Sequence, residues 1–547
     1  MKHYILYTAA LTALAIPAMA QETYESANIA TEDLNGTARY VGMGGAMEAL
    51  GADISTISTN PAGIGLFRKS GISFSMGATS VKGDDTSVAD KLNITGKKAP
   101  MSFDQIGFVY ANETSQGNFI NCAFNYHKSR NFNQILSHMS ALNGAALNKI
   151  PYQKGVIGDA RKGGYYVDFN EDDDLIGYYS ELSPVTSQCF SQVDYLLWNA
   201  FLVDKDDGNA YYYNGYDYLF AREQQGYISN FDLNVSGNHN DRIYWGITFG
   251  IKDVNYKHDQ VYSEDLDDSK GNAAGYYDMV DSRDITGQGF DIKAGIIFRP
   301  IDASPLRIGL SIATPTWYEL RSSNYTQIIN KGYDEQYKHA IGLEPSYSWS
   351  NEHKYKLFTP WKFGASLGYT IGKEIALGAS YEYADYSSID NRNITGVDFN
   401  LDGSSTTASE SDKVMNRHTE KSLCGVSTLK LGAEYKPMPE LAIRAGYNYV
   451  SQMYEDKAER TTMLNADGSY YSSTADFVNW KATNRFTFGV GFNIDNFNID
   501  VAYQHSEQKG DFHPFETITV DDAINKAPVA EVNNNRDQFL ITLGYKF

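Results

Sequence analysis

The chain has 547 residues, 14% of them aromatic (41 Tyr, 27 Phe, 6 Trp), with 47 Gly and a net charge of −21 from 46 Lys and Arg against 67 Asp and Glu. That acid excess excludes nucleic acid as the main partner, because phosphate recognition needs clustered Lys and Arg. A mean hydropathy of −0.42, with no apolar run of about 18 residues beyond the N-terminus, excludes a helical membrane protein; it leaves open a membrane β-barrel, whose strands are apolar on one face only.

Lys2 and His3, the apolar stretch Ile5 to Ile16 and the closing Ala18-Met19-Ala20 read as a secretory signal peptide over residues 1–20, cut after Ala20. No Cys follows that cut, which argues against a lipid-anchored lipoprotein. Cys122, Cys189 and Cys424 are odd in number and widely spaced, with neither metal nor redox spacing.

Residues 21–70 come before the first clear strand. They are too few for an independent domain and enough to fill a barrel lumen. Within them stand Ala38-Arg39-Tyr40-Val41-Gly42-Met43-Gly44-Gly45-Ala46, then Asp53-Ile54-Ser55, then Asn60-Pro61-Ala62-Gly63. Gly42, Gly44 and Gly45 permit tight turns and close backbone approach, and Asn before Pro starts a turn.

From residue 71 onward the repeating signal has period two. The last segment shows it best: Phe539, Ile541, Leu543, Tyr545 and Phe547 alternate with Gln538, Thr542, Gly544 and Lys546. Successive residues of a strand face opposite sides, so one face is apolar and the other largely polar. The row Phe290, Ile292, Ala294, Ile296, Phe298 repeats the pattern with Asp291 and Lys293 between its members. Apolar rows that close on Tyr, Phe or Trp are those of an aromatic girdle at a lipid interface.

Strands are expected near 71–79, 103–112, 118–128, 227–236, 242–256, 286–299, 305–318, 361–371, 374–386, 427–436, 440–452, 484–494, 497–508 and 537–547. That is an even number, fourteen, with short and long connections in strict alternation. The longest connection is 129–226, and 319–360 is another. This is the pattern of an outer-membrane barrel with both termini in the periplasm. The Tyr-rich stretch 337–350 is assigned to a hairpin within a loop; as a further spanning strand it would break the parity.

In the segment Ala38 to Gly63 the sequence resembles the FadL/TodX-type outer-membrane transporters of long-chain fatty acids and other hydrophobic compounds. Their N-terminal segment runs from an Ala-Arg start through G-M-G-G-A to N-P-A-G, as here, and Pro360-Trp361-Lys362-Phe363-Gly364 resembles their P-x-x-F-G stretch. The resemblance implies an all-β fold, a 14-stranded antiparallel transmembrane β-barrel (71–547) with an N-terminal hatch (21–70) plugging its lumen. It also implies that Asn60, Pro61, Ala62 and Gly63 form the hatch motif. A hydrophobic ligand would pass to a site near the hatch and leave sideways into lipid through an inward kink in the third strand, in the region after Gly117 ending near Lys128 to Phe132. The final strand, ending in Phe547, would guide barrel assembly.

Other constellations count for less. Glu171-Asp172-Asp173-Asp174 reads as a solvated acidic loop rather than a calcium site. Asp398 to Gly403 copies the start of a calcium loop, but Ser409 stands where the bidentate Glu should be. His505 and His513 lie near a strand end without a nucleophile arrangement. The expectation is therefore a monomeric barrel in the outer membrane of a Gram-negative bacterium, with no catalytic residues, metal or cofactor. Its partners would be a hydrophobic ligand, outer-membrane lipid and lipopolysaccharide, and the barrel-assembly machinery. The competing reading is an adhesin, surface antigen or haem receptor acting through its long loops.

Overall fold

The computed structural model describes residues 22–83, 86–88, 92–157, 166–169, 175–179, 191–198, 212–268, 270–301, 303–330, 346–399, 405–462, 471–520 and 523–547. The signal-peptide reading, Cys189, the acidic run 171–174 and the loop 400–403 lie outside them. Cys122 and Cys424 are free thiols.

Fourteen antiparallel strands follow one another around a closed barrel. They are β1 (Gly71–Lys82), β2 (Met101–Ser115), β3 (Asn118–Asn131, continued as Gln134–Ala141), β4 (Asn214–His239), β5 (Ile243–Asp267) and β6 (Ala273–Phe298). Next come β7 (Arg307–Ala313 and Trp317–Asn330), β8 (Ser346–Phe358 and Lys362–Ile371), β9 (Ile375–Asp385 and Asp390–Phe399) and β10 (Ser405–Ser411 and Gly425–Met438). The last four are β11 (Leu441–Val450), β12 (Phe477–Ile494), β13 (Phe497–His513) and β14 (Arg536–Lys546). Closure comes from β1, which pairs with β2 on one side and with β14 on the other, Gly71 opposite Lys546. Both ends of the barrel segment therefore lie at the end where the tight turns are. There the Phe547 N–H donates to the Ser70 carbonyl at 3.0 Å, and the Phe547 ring lies 6.4 Å from that of Phe108 on β2.

The burial pattern inverts that of a soluble protein. Ile247 and Ile251 on β5 are 54% and 40% exposed, whereas Thr248 and Lys252, each one step away, are 0% and 4% exposed. An apolar exterior around a polar interior is stable only where the solvent outside is hydrocarbon. Arg in place of the outward-facing Ile292 is accordingly expected to destabilise the barrel by about 2–4 kcal/mol, measured by denaturant unfolding in lipid vesicles. The lumen face is not free surface either: Lys293 is 4% exposed and paired with Asp232 and Asp291.

The strands outrun the membrane. β4, β5 and β6 have 26, 25 and 26 residues, where about 9–11 suffice to cross. Much of what the sequence assigns to loops 129–226 and 319–360 is therefore paired strand. Beyond Ile251 the outward positions of β5 are Asp253, Asn255, Lys257 and Asp259, which keep the ladder but lose the apolar alternation. Residues 346–350 belong to the upper part of β8, paired with the upper part of β7, so they add no strand and the parity of fourteen stands; 331–345 lie outside the described residues. β7 and β8 are interrupted around Pro315 and Pro360, where Pro has no N–H to give the ladder. At the end opposite the tight turns, Leu142, Leu196, Trp198, Tyr218, Tyr262 and Phe512 gather in one apolar cluster that ties the long strand ends and their connections together.

Candidate functional site in the barrel lumen

The N-terminal segment runs down the inside of the barrel. Helix α1 (Thr23–Ala30) lies at the end opposite the tight turns, where Thr23 Oγ1 is 2.8 Å from His418 Nδ1 and 2.9 Å from Thr419 Oγ1 in the helix Lys413–Ser422. Helix α2 (Ala38–Gly42) is capped by Thr37, whose hydroxyl accepts the Tyr40 N–H at 3.1 Å. That hydroxyl also donates to the Asp53 carboxylate at 2.9 Å, and Ser55 N–H donates to the same carboxylate at 3.0 Å. The Asp-x-Ser stretch thus locks two turns of the segment together.

The Asn60 to Gly63 motif follows as a 3-10 turn over Pro61–Leu66. Asn60 Oδ1 accepts the Ala62 N–H at 3.2 Å, and the Asn60 carbonyl accepts the Gly63 N–H at 2.9 Å. Pro61 occupies the first helical position, where its missing N–H costs nothing. Asn60, Pro61, Ala62 and Gly63 are all buried, seated against β5, β6 and β7.

The wall makes room for them with glycines. A Cβ on Gly295 of β6 would stand 2.0 Å from Asn60 Oδ1, and one on Gly246 of β5 would stand 2.4 Å from the Pro61 carbonyl oxygen. Further round, Gly378, Gly432 and Gly446 lie against the backbone of Ala46, Met43 and Gly44. Gly44 and Gly45 have φ of +63° and +81°, which turns the chain back beneath α2. The motif glycines were legible in the sequence, their wall counterparts were not. The signal was present, since each occupies a lumen-facing position between apolar lipid-facing neighbours, where a lone glycine marks close backbone approach.

Ion pairs complete the attachment. Arg39 reaches Glu434 at 3.2 Å, Glu48 meets Lys430 at 2.8 Å, and Glu32 bridges Lys252 and Lys362, each at 2.6 Å. Burial opposes the charge on Glu32, but the two ammonium groups outweigh it and hold its carboxyl well below the usual range. Desolvation offsets much of the attraction within such pairs, so their net contribution to stability is small.

The second feature is a break in the wall. Pairing between β2 and β3 ends at Gln105 opposite His127. At that height β3 carries a bulge, because Lys128 pairs with Ser229 and Arg130 with Ile228, leaving Ser129 extra. β2 carries another, with Asp104 extra between Gln105 and Phe103. A bulge bends its strand and frees main-chain groups from the ladder. Here the freed groups turn to the N-terminal segment. Asp33 N–H donates to the Ser129 carbonyl at 2.7 Å, Asp33 Oδ2 accepts the Asn131 N–H at 3.0 Å, and Asn35 Nδ2 bridges the Lys128 carbonyl (3.0 Å) and Asp104 Oδ1 (3.2 Å). Phe132 then points inward, 1% exposed, edge-on to Tyr256 at 4.9 Å. On the outer surface the sill of the break is a row of rings, Phe74–Phe103–Tyr126–Phe231, at centroid spacings of 5.3, 5.3 and 5.1 Å.

Between α1 and the break lies a cavity of about 290 Å³. Its lining includes Tyr24, Val450, Met453, Tyr454 and Trp480, and it also includes Arg130, Arg485 and Arg536. The carboxylates of Glu22, Glu25, Glu32, Asp33 and Asp476 share the lining, and a wall that is part apolar and part charged suits a molecule with both parts. His505 and His513 are elsewhere: His505 contacts Asp537 at 2.7 Å and His513 stacks on Phe477 at 4.3 Å.

No family model matches the chain, and no curated protein matches it. Among solved structures it is similar to a Pseudomonas aeruginosa FadL homologue at 12% identity and TM-score 0.47, covering 95% of this chain and 100% of that one. It is similar to the P. putida toluene transporter TodX at 10% identity and TM-score 0.47, covering 94% and 99%. It is also similar to the Ralstonia pickettii toluene transporter TbuX at 12% identity and TM-score 0.42, covering 94% and 99%.

Proposed function

We infer that this protein takes up a hydrophobic small molecule across the outer membrane, passively, and releases it sideways into lipid. The N-terminal segment is the plug, the cavity is the holding site and the break between β2 and β3 is the exit. The short-turn end faces the periplasm, and the barrel works as a monomer assembled through its last strand. The observation that carries the reading is the pair of adjoining bulges at Asp104 and Ser129, where the Lys128 and Ser129 carbonyls and the Asp104 carboxylate bond to the segment and the two strands no longer pair. A wall broken at one height, with aromatic rings outside and a cavity inside, is a sideways path for an apolar solute. Entering hydrocarbon rather than water gains such a solute roughly 0.8 kcal/mol per CH₂.

Deleting Ser129 tests this. Without the extra residue Lys128 and Arg130 become successive partners of Ser229 and Ile228, β3 straightens, and both halves keep their faces. Uptake of radiolabelled dodecanol by cells should fall to the level of cells lacking the protein, while heat-modifiable gel mobility reports a folded barrel. A straightened barrel that still delivers dodecanol rules out this exit.

A further inference from the structure

Away from the cavity, at the end opposite the tight turns, one lysine and two carboxylates meet in apolar surroundings. Lys154, in the helix Lys149–Ile157, places Nζ 2.6 Å from Asp194 Oδ2 and 3.6 Å from Glu516 Oε1, with side-chain exposures of 1%, 2% and 6% in that order. Asp194 lies in the first turn of the helix Gln192–Leu197, and Glu516 follows β13. Ile150, Val193, Leu197, Phe515 and Ile518 of the large apolar cluster come from the same three stretches of chain. Polar neighbours fix the three groups. The Ser191 N–H and hydroxyl both donate to Asp194 Oδ2, at 2.7 and 2.9 Å. Lys154 Nζ also donates to the Thr462 hydroxyl at 2.6 Å, and that hydroxyl and the Thr462 N–H donate to the Glu516 carboxylate.

Enclosure on this scale changes what the pair can do. An ion pair taken out of water loses the hydration of both charges, and that loss favours passing the proton from ammonium to carboxylate, which leaves an amine beside an acid. Burial raises the Asp194 carboxyl above its ordinary range, against the Lys154 ammonium and the Ser191 N–H that lower it. A desolvated lysine amine is a nucleophile. A nitrogen 2.6 Å from one carboxyl oxygen is in contact with the carboxyl carbon. Reactants held in that way react as though present at about 10⁵–10⁸ M. Glu516 reaches the same nitrogen, where a carboxylate can accept a proton and return it.

We propose that Lys154 and Asp194 join in an intramolecular amide bond, with Glu516 carrying the proton between them. The Nζ–Cγ bond forms and the Cγ–Oδ2 bond breaks. Oδ2 leaves as water: one of its protons comes from the ammonium as the pair neutralises, the other from Nζ by way of Glu516, which ends as it began. An ammonium and a carboxylate become a neutral amide and one water, and the balance needs no co-reactant. The Ser191 N–H and hydroxyl stand at the leaving oxygen and polarise it. The bond ties together two positions 40 residues apart within the long connection between β3 and β4. It acts there as a disulfide does, chiefly by restricting the unfolded chain; the described cysteines, Cys122 and Cys424, are free thiols. The cross-link is independent of what the barrel carries.

Mass spectrometry of the intact chain is the test. The folded barrel, extracted from the membrane in detergent, should be lighter than its sequence by one water, and its tryptic digest should contain a branched peptide joining residues 154 and 194. The same chain recovered unfolded in urea, where the two residues do not meet, should have its full mass and lose one water on refolding in detergent. Lys154→Met, with heat-modifiable mobility reporting a folded barrel, should keep its full mass and give no branched peptide. Asp194→Asn should form the same amide by losing ammonia in place of water, which a simple ion pair cannot do. Glu516→Gln should close about a hundredfold more slowly on refolding, the effect of losing a positioned proton carrier. A folded wild type of full mass, a lost water confined to the Asp194 peptide, a branch ending at Glu516, or undiminished closure in Glu516→Gln overturns the proposal.

Discussion

A barrel lacking residues 22–60 is expected to conduct small ions in a planar bilayer, and the intact protein is expected to be silent there. Fourteen strands spaced about 4.8 Å apart and tilted about 40° make a circumference near 88 Å, so the backbone lumen is about 28 Å across. Side chains from the wall cannot close that width. In this chain α2 and the turns after it contribute Val41, Met43, Met47 and Leu50 to a buried cluster with the wall residues Ala502 and Leu540. Removing the segment removes that cluster and exposes Glu434, Lys430, Lys252 and Lys362, whose partners Arg39, Glu48 and Glu32 go with it. None of the wall's ladder bonds depends on the segment, and the released charges meet water, so the barrel itself should still assemble. The effect is all-or-none and is read as current steps in KCl. A deleted barrel as silent as the intact one means that something other than this segment closes the lumen.

What could be read from the sequence followed from how many residues encode each feature. The fourteen strands were legible because lipid forces every second residue to be apolar over five or more positions, as in Phe539 to Phe547. The height of the wall was not, because outward residues such as Asp253, Lys257 and Asp259 pair as well as Ile247 does without the alternation that marks a strand. The Asn60-Pro61 turn was legible, since its bonding is local and the side chain serves its own backbone. The break in β3 was placed only as a region ending near Lys128 to Phe132, because a bulge is one additional residue, and nothing about Ser129 itself distinguishes it from its neighbours. The meeting of Arg130, Arg485 and Arg536 at the cavity, 3.1, 3.5 and 3.8 Å from Asp33, was out of reach altogether. Arg130, Arg485 and Arg536 come from three strands far apart in sequence, and only ring closure, with β14 beside β1, brings them around Asp33.

The wall glycines supply the second large effect. Gly378→Val should assemble a barrel whose plug no longer fits. The position lies on β9 facing the lumen, and a Cβ there would stand 1.9 Å from the Ala46 carbonyl oxygen and 3.0 Å from its carbon. Both are main-chain atoms of the segment, so no rotamer change relieves the contact. Its neighbour across the ladder is Gly432, which meets Met43 in the same way, so the segment has no free space to slide into on that side. Overpacking in a close-packed core costs about 1–3 kcal/mol when side chains can adjust; against fixed backbone the lower-energy outcome is for the segment to leave its seat. The wall loses nothing, because Val suits a strand better than Gly and Leu377, on the lipid side, is untouched. The variant should therefore show normal heat-modifiable mobility, ion leak in planar bilayers and loss of dodecanol uptake. Gly378→Ala should give the same defects, since the clash is with the Cβ itself. Gly396→Val, at a position with nothing within 4 Å of the added carbon, should behave as wild type. If Gly378→Val is silent and still transports, the glycine belt does not seat the plug.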